Sequence, residues 1–591
     1  MESEFRQKEM LRDMFEGLGC EIKSDTTLDK CFELCKKYLD GRIDGALPEL
    51  WVTFCIENNL EFDLTIDNLN KMEQAVLMKG YHRDQSPPVA VEKTKRERNE
   101  NDDTHDVLVM YGCAEPGPGP GPGPSKRVKL DPTEDVKLAF DSQHTDLNVS
   151  MPHNTTDKGE KILLSLGRSS ADSWKRTNNY NVTIMKATES LTHLPSDAKF
   201  MYQMLSQEGE SRTYLTHTFG KKLFDTWRVM SRDELTGHEM HYVRYIRKPS
   251  QTKFRTFGRI NTKKGSTNTV ILEGSTRRRG TSTADTIELD FRLKQYSVFP
   301  GQIVAVEATN PVGDTLYVNE LFTKSYTPVA NPPRITSSIN IYVAAGPFTG
   351  SNNLDYQPLW DLMDKVASDE PHVLILIGPF LEYTHNKIQE YNIFDNIMYQ
   401  NFVEEIFMKI MKKTRSSTQV ILVASNRDVH HEPVYPTPEY RIYSQKFHNI
   451  SNLKMMPDPC ILDVDGFKIG ITSVDIIKHI AKEEISNMSG DKLGRIADHV
   501  IGQNTFYPMY PPAEDLNLDT ELWEKHTFFN QQPNLLILPS DLRYYCKIIN
   551  ECMVLNPERM HKNVYAKLSV TSKNGGPWSC NSNISYEIVK V

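Results

Sequence analysis

Val420-Ile421-Leu422-Val423-Ala424 runs directly into Ser425-Asn426-Arg427-Asp428-Val429-His430-His431-Glu432-Pro433. Five consecutive apolar residues giving way to a polar loop read as a strand buried on both faces, of the kind found inside a covered sheet. The same grammar recurs along the chain. Residues 341–345 lead into Gly346-Pro347-Phe348, residues 373–377 into Gly378-Pro379-Phe380-Leu381-Glu382, and residues 535–538 into Pro539-Ser540-Asp541-Leu542-Arg543. Residues 468–472 form a further apolar strand, and helical stretches such as 402–412 lie between the strands. Residues 336–591 therefore read as an α/β domain, in which chemistry gathers where strands end and loops begin.

Upstream, residues 158–335 turn β-rich. Short β-branched runs at 254–260, 269–273, 286–290, 302–307 and 316–321 are separated by Lys264-Gly265-Ser266, Arg279-Gly280-Thr281, Phe299-Pro300-Gly301 and Val312-Gly313-Asp314. Five strands at this spacing fit a small barrel of the oligonucleotide-binding (OB) type, with the more helical 191–235 as an appendage. Arg277-Arg278-Arg279 reads as a solvated loop, since no interleaved aromatic residues offer a platform for bases.

Residues 1–79 read as a helical bundle. Leu11, Met14, Phe15 and Leu18 recur at i, i+3, i+4, i+7. A second stripe, Leu28, Cys31, Phe32, Cys35, Tyr38 and Leu39, follows the capping oxygens of Ser24-Asp25-Thr26-Thr27, and 47–56 and 66–78 supply further helices. The bundle carries no catalytic constellation and reads as a docking module. Residues 80–157 read as a disordered linker, ending its alternating Pro-Gly run at Pro124. That run is no phosphate loop, because every second residue lacks the N–H such a loop needs. Ser125-Lys126-Arg127-Val128-Lys129-Leu130-Asp131 then reads as a nuclear localisation signal, with Lys126, Arg127 and Lys129 as its charges.

A net charge of -9 over 591 residues argues against a chain that grips nucleic acid along its length, so any DNA contact is weak, local or indirect. With 38% hydrophobic residues, wholesale disorder is excluded. No apolar run reaches the 18 or so residues of a bilayer span, and Met1-Glu2-Ser3-Glu4-Phe5 is acidic where a signal peptide is basic; an intracellular protein with no membrane contact is expected. The nine cysteines include no Cys-x-x-Cys pair, and Cys31 with Cys35 reads as helix packing.

In order, the strand ends resemble those of the calcineurin-like metallophosphoesterases, which carry Asp-x-His, Gly-Asp-x-x-Asp, Gly-Asn-His-Asp/Glu and a late Gly-His-x-His around two metal ions. The resemblance implies a degenerate site. Pro379, after Gly378, stands for the bridging aspartate and Glu382 for the second one. Asn426 is kept, Arg427 replaces the histidine that faces the phosphate, Asp428 follows it, and Asp541 lies in what replaces the late histidines. Paired ions need hard oxygen and imidazole ligands, which a proline and a guanidinium do not supply. No catalytic residue, metal or cofactor is expected. His430-His431-Glu432, neighbours in one loop ahead of Pro433, read as structural.

Such a domain behind an OB barrel resembles the B subunits of the eukaryotic replicative DNA polymerases, most nearly the alpha–primase type. The resemblance covers roughly 158–591. It rests on Tyr296-Ser297-Val298-Phe299-Pro300-Gly301-Gln302, Gly378-Pro379-Phe380-Leu381, Arg427-Asp428-Val429-His430-His431-Glu432-Pro433-Val434-Tyr435-Pro436, Tyr507-Pro508-Met509-Tyr510-Pro511-Pro512 and Pro539-Ser540-Asp541-Leu542-Arg543-Tyr544-Tyr545. It implies a multidomain α+β protein: helical bundle, flexible linker, OB barrel and inactive phosphoesterase-like α/β domain. It further implies a nuclear, non-catalytic scaffold that binds the C-terminal domain of the polymerase catalytic subunit, shares a complex with the primase subunits, and recruits replisome factors through the bundle. Tyrosine and arginine are enriched in binding hot spots, so His430, His431, Tyr435, Tyr507, Tyr510, Arg543 and Tyr544 are the candidate partner interface. The competing readings are the delta or epsilon counterpart, an active phosphodiesterase like the small subunit of archaeal D-family polymerases, and a single-stranded-DNA-binding OB protein.

Overall fold

The computed structural model describes residues 160–167, 173–230, 242–263, 269–277, 284–389, 398–572 and 578–591. Nearer the N terminus it describes 8–12, 14, 15, 20, 22, 24–38, 46–57 and 64–73. The linker, its basic cluster, Arg278 and Arg279 lie outside the described residues.

The N-terminal helices α1 (Asp25–Tyr38), α2 (Ala46–Glu57) and α3 (Ile66–Met72) follow the apolar stripes. Leu28, Cys31, Phe32 and Cys35 of α1 are buried, as are Leu47, Trp51 and Phe54 of α2 and Leu69 of α3. Ser24 Oγ accepts the Thr27 N–H at 3.2 Å, and Thr65 Oγ1 accepts that of Asn68 at 3.4 Å, so hydroxyls cap both helices. Burial, with Cys35 adjacent, raises the Cys31 thiol far out of the reactive range.

Two short strands come before the barrel in sequence yet belong to the C-terminal body. Strand β1 (Lys161–Leu166) pairs with β20 (Ile584–Lys590), and β2 (Ile184–Lys186) pairs with β13 (Cys460–Val464). Residues 158–335, expected to form the barrel and its appendage, thus also supply two strands to the sheets of the body. Short strands that complete sheets through partners hundreds of positions away leave no local signature.

Strands β3 (Ser250–Lys263), β4 (Thr269–Arg277), β5 (Ala284–Phe291), β7 (Ile303–Asn310) and β8 (Thr315–Phe322) close a barrel in the order β3-β4-β5-β8-β7. Phe254, Ile260, Leu272, Ile287, Val304, Val306, Leu316 and Val318 fill it. Helix α4 (Leu205–Met230) lays Phe219, Leu223 and Trp227 on Phe257, Ile303 and Ala305 of its wall. Gly220 permits this approach, because a Cβ there would lie 2.2 Å from the Phe257 ring.

The body is two sheets around one core. β9 (Ile339–Ala345), β10 (Val373–Ile377), β11 (Gln419–Val423) and β12 (Leu453–Met456) run parallel, extended by β19 (Val564–Val570), β20 and β1. The second sheet is β17 (Tyr545–Ile549), β18 (Cys552–Asn556), β16 (Leu535–Ile537), β14 (Phe467–Ile471), β13 and β2. Alternate residues Ile341, Val343, Ile375, Ile377, Ile421 and Val423 of the first sheet meet Leu462, Ile469, Leu535, Ile537 and Leu555 of the second. Leu374, Leu376 and Leu422 on the opposite face are buried as well, which explains the unbroken apolar runs. Helices α5 (Gln357–Asp369) and α6 (Tyr399–Lys413) bury one-sided stripes, in α5 Leu359, Leu362, Met363 and Val366.

Buried polar groups join barrel to body. The two-residue strand β6 (Ser297–Val298) pairs with β15 (Ile485–Ser486). The Gln503 side chain bonds both the N–H and the carbonyl of Ile303, at 2.9 and 3.0 Å. Ser297 Oγ stands 2.8 Å from His499 Nε2 and donates to Glu484 Oε1, to which Arg495 Nε also donates at 2.7 Å. Among the described residues, no helix is long and apolar enough to cross a membrane.

Candidate functional site

The strand ends converge as charged loops. After β10, Gly378 is packed so tightly that a Cβ would lie 2.5 Å from the Tyr440 hydroxyl and 2.9 Å from Asp428 Oδ2. The Pro379 carbonyl oxygen lies 2.0 Å from where a Gly346 Cβ would stand, so the first two strand ends touch backbone to backbone. Asp428 is spent on structure: its Oδ1 accepts the N–H groups of Phe380 and Leu381 at 2.7 and 2.6 Å, and its Oδ2 accepts the Tyr440 hydroxyl. Asn426 is buried beside it. Glu382 forms an ion pair with Arg427.

Behind that pair lies a second set of charges. Arg559, which follows β18, is wholly buried; its Nε donates to Asp541 Oδ1 at 3.0 Å and its Nη1 to the Gly346 carbonyl at 3.2 Å. Its Nη2 stands 3.6 Å from Asp475 Oδ2. Lys478 Nζ reaches the other Asp541 oxygen at 2.9 Å. Asp475 caps helix α7 (Ile476–Glu483), accepting the Lys478 N–H at 2.9 Å, and also accepts the Asp541 N–H at 2.6 Å. Burial alone would raise the Asp541 carboxyl; Arg559, Lys478 and Arg427 together outweigh it and hold the group well below the usual carboxylate range. Burial, then the like charge of Arg559, lowers the Arg427 guanidinium from its ordinary value.

Of the residues expected here, Glu382, Arg427 and Asp541 share this charged edge, while Gly378, Pro379, Asn426 and Asp428 form its packed floor. Sequence reasoning missed Asp475, Lys478, Tyr440 and Arg559. Asp475 was within reach, since it follows the apolar strand at 468–472. Arg559 was not, because β18 went unrecognised. Among the described residues, no group of three or more His, Cys, Asp or Glu side chains is placed to hold a metal ion.

Most of the residues expected at a partner interface make contacts within the chain. Tyr435 and Tyr507 are completely buried, with ring centroids 5.7 Å apart. The Tyr507 carbonyl accepts the Trp523 indole N–H at 2.8 Å. Tyr510 donates to Glu208 Oε1 of α4 at 2.6 Å, with Arg212 4.6 Å over its ring and the Trp523 ring 6.2 Å away. His430 and His431 have buried side chains and pack on Tyr440 at 5.3 and 4.9 Å. A hydrogen bond from His431 is the main cause that lowers the Glu432 carboxyl to about 2, and burial lowers His430. The composition that marks a hot spot also marks a packed intramolecular seam: Tyr435, Tyr507, His430 and His431 are packed inward, and the half-buried Tyr510 ties the body to α4. Arg543 and Tyr544 are half-buried, the guanidinium 5.2 Å over the neighbouring ring.

Three family models match the chain in order: the N-terminal region of the DNA polymerase alpha B subunit at residues 9–79, the OB domain of the DNA polymerase alpha B subunit at 233–324, and the DNA polymerase alpha/epsilon B subunit at 341–547. The DNA polymerase alpha B subunit of Rattus norvegicus is 29% identical over 577 residues, covering 92% of each chain. That of Drosophila melanogaster is 39% identical over 278 residues, 46% of this chain and 44% of its own. That of Saccharomyces cerevisiae is 25% identical over 343 residues, 48% of each. An OB domain ahead of a polymerase B-subunit domain defines an accessory subunit of a replicative DNA polymerase. Within that class, the chain belongs to the family of DNA polymerase alpha B subunits and is an accessory subunit of that polymerase.

Proposed function

We propose that this chain is the non-catalytic scaffold of a DNA polymerase alpha–primase complex, holding the C-terminal domain of the catalytic subunit on its barrel and body while primase joins the same assembly to make primers. One observation carries the non-catalytic half of this reading. Where the phosphoesterases it resembles bind two ions, Arg427 and the fully buried Arg559 sit among the carboxylates, and Pro379 stands in place of a bridging ligand. These residues do not fit a metal pair: an ion placed between guanidinium groups meets repulsion of roughly 4 kcal/mol at 4 Å for each unit of its charge, even at an effective dielectric of about 20. Membership of the family supports the partner half, and also nuclear residence. The N-terminal helices, on a Pro-Gly tether, would raise the local concentration of recruited replisome proteins without fixing their orientation.

Purification of the tagged chain from nuclear extract tests this. The expected result is stoichiometric recovery of the polymerase alpha catalytic subunit with both primase subunits; recovery of the delta or epsilon catalytic subunit instead would overturn it. Arg543 and Tyr544 remain candidates for the docking surface, and Arg543→Ala should weaken capture of the catalytic subunit's C-terminal domain by about 1–4 kcal/mol if it is a hot spot.

A further inference from the structure

The converging strand ends carry a balanced set of charges: Glu382, Asp475 and Asp541 against Arg427, Lys478 and Arg559. Each cation joins segments that follow different strands. Arg427, after β11, pairs with Glu382, after β10. Lys478, on the helix after β14, pairs with Asp541, after β16. Arg559, after β18, reaches Asp541, Asp475 and the Gly346 carbonyl after β9, so one side chain touches the ends of three other strands. We infer that these three side chains are a built-in cationic clamp that does the structural work of bound metal ions, tying the strand ends of both sheets together through protein charges alone.

Each of Glu382, Asp475 and Asp541 already faces a protein cation, and the wholly buried Arg559 sits where a ligand-held ion would need the Asp475 and Asp541 oxygens. A buried carboxylate stripped of its cation is strongly unfavourable, so the two charges are energetically one unit. The clamp thus deepens the non-catalytic reading and rests on it.

The test is a double-mutant cycle on the full-length chain, read as thermal midpoint with and without Mn²⁺. Arg559→Met should lower the midpoint by roughly 5–10 °C. Adding Asp541→Asn to that variant should recover part of the loss, because it removes a carboxylate left with Lys478 as its one remaining ion-pair partner among the three clamp cations. Millimolar Mn²⁺ should raise the midpoint of Arg559→Met, in which Asp475 and Asp541 have lost the cation they share, and leave the wild type unmoved. If Arg559→Met does not accumulate as folded protein, Arg427→Met with Glu382→Gln at the more exposed end of the cluster gives the same cycle. Additive losses, or equal Mn²⁺ stabilisation of wild type and variant, would overturn the clamp. Mn²⁺-dependent phosphodiester turnover by the wild type would instead overturn the non-catalytic reading, so the two failures are told apart.

Discussion

Asp458 shows how much a single position decides. It is fully buried after β12, its carboxylate accepting the Ser473 hydroxyl at 2.6 Å. Burial, against the bonds from Ser473 and Thr472, raises its pKa to about 7. An acid whose folded pKa is raised binds a proton in the folded chain that the unfolded chain has already released. Stability therefore falls as pH rises from about 4 to 7, by about 1.4 kcal/mol per pH unit, on the order of 4 kcal/mol in all. Asp458→Asn keeps an acceptor for Ser473 and cannot ionise. It should raise the unfolding midpoint at pH 8 and lose that advantage near pH 5; an equal effect at both pH values would refute the assignment. Tyr510 yields a contrasting expectation. Its hydroxyl and ring are committed to Glu208, Arg212 and Trp523, so Tyr510→Ala should lower the melting temperature and leave the affinity of the folded fraction for the catalytic subunit unchanged. Titration of the folded variant against the catalytic subunit's C-terminal domain decides it.

At the scale of elements, legibility followed periodicity. The five barrel strands and the parallel strands β9, β10 and β11 were readable, because alternation and buried apolar runs are local signals. β1 and β2 were not, being short strands that exist only through distant partners. The late strands β17 to β20 went unread too, and Arg559 with them. The polar strand-end loops were visible residue by residue, whereas which tyrosines face inward depends on the barrel seating itself on the body. That seam turns on Gly301, at φ 94°, where a Cβ would lie 2.0 Å from the Tyr510 nitrogen. Gly301→Ala should strain the turn and push barrel from body, with hydrogen exchange rising around Ile303 and Tyr510 while the interior of the barrel stays protected. Uniform exchange across the barrel would contradict this.

Two sheets, a barrel and a seam of buried polar bonds form a body whose strand-end carboxylates answer to arginine and lysine. If the basic cluster read in the sequence is the nuclear signal, replacing Lys126, Arg127 and Lys129 by alanine should shift the protein out of the nucleus in cells lacking the catalytic subunit, scored by fluorescence, and continued nuclear residence would show that the signal lies elsewhere. The most direct measurement of the central claim is phosphodiester hydrolysis by the purified full-length chain with and without millimolar Mn²⁺. No turnover above buffer is expected in either condition, in wild type and in Asn426→Ala alike. Mn²⁺-dependent turnover that Asn426→Ala abolishes would contradict it.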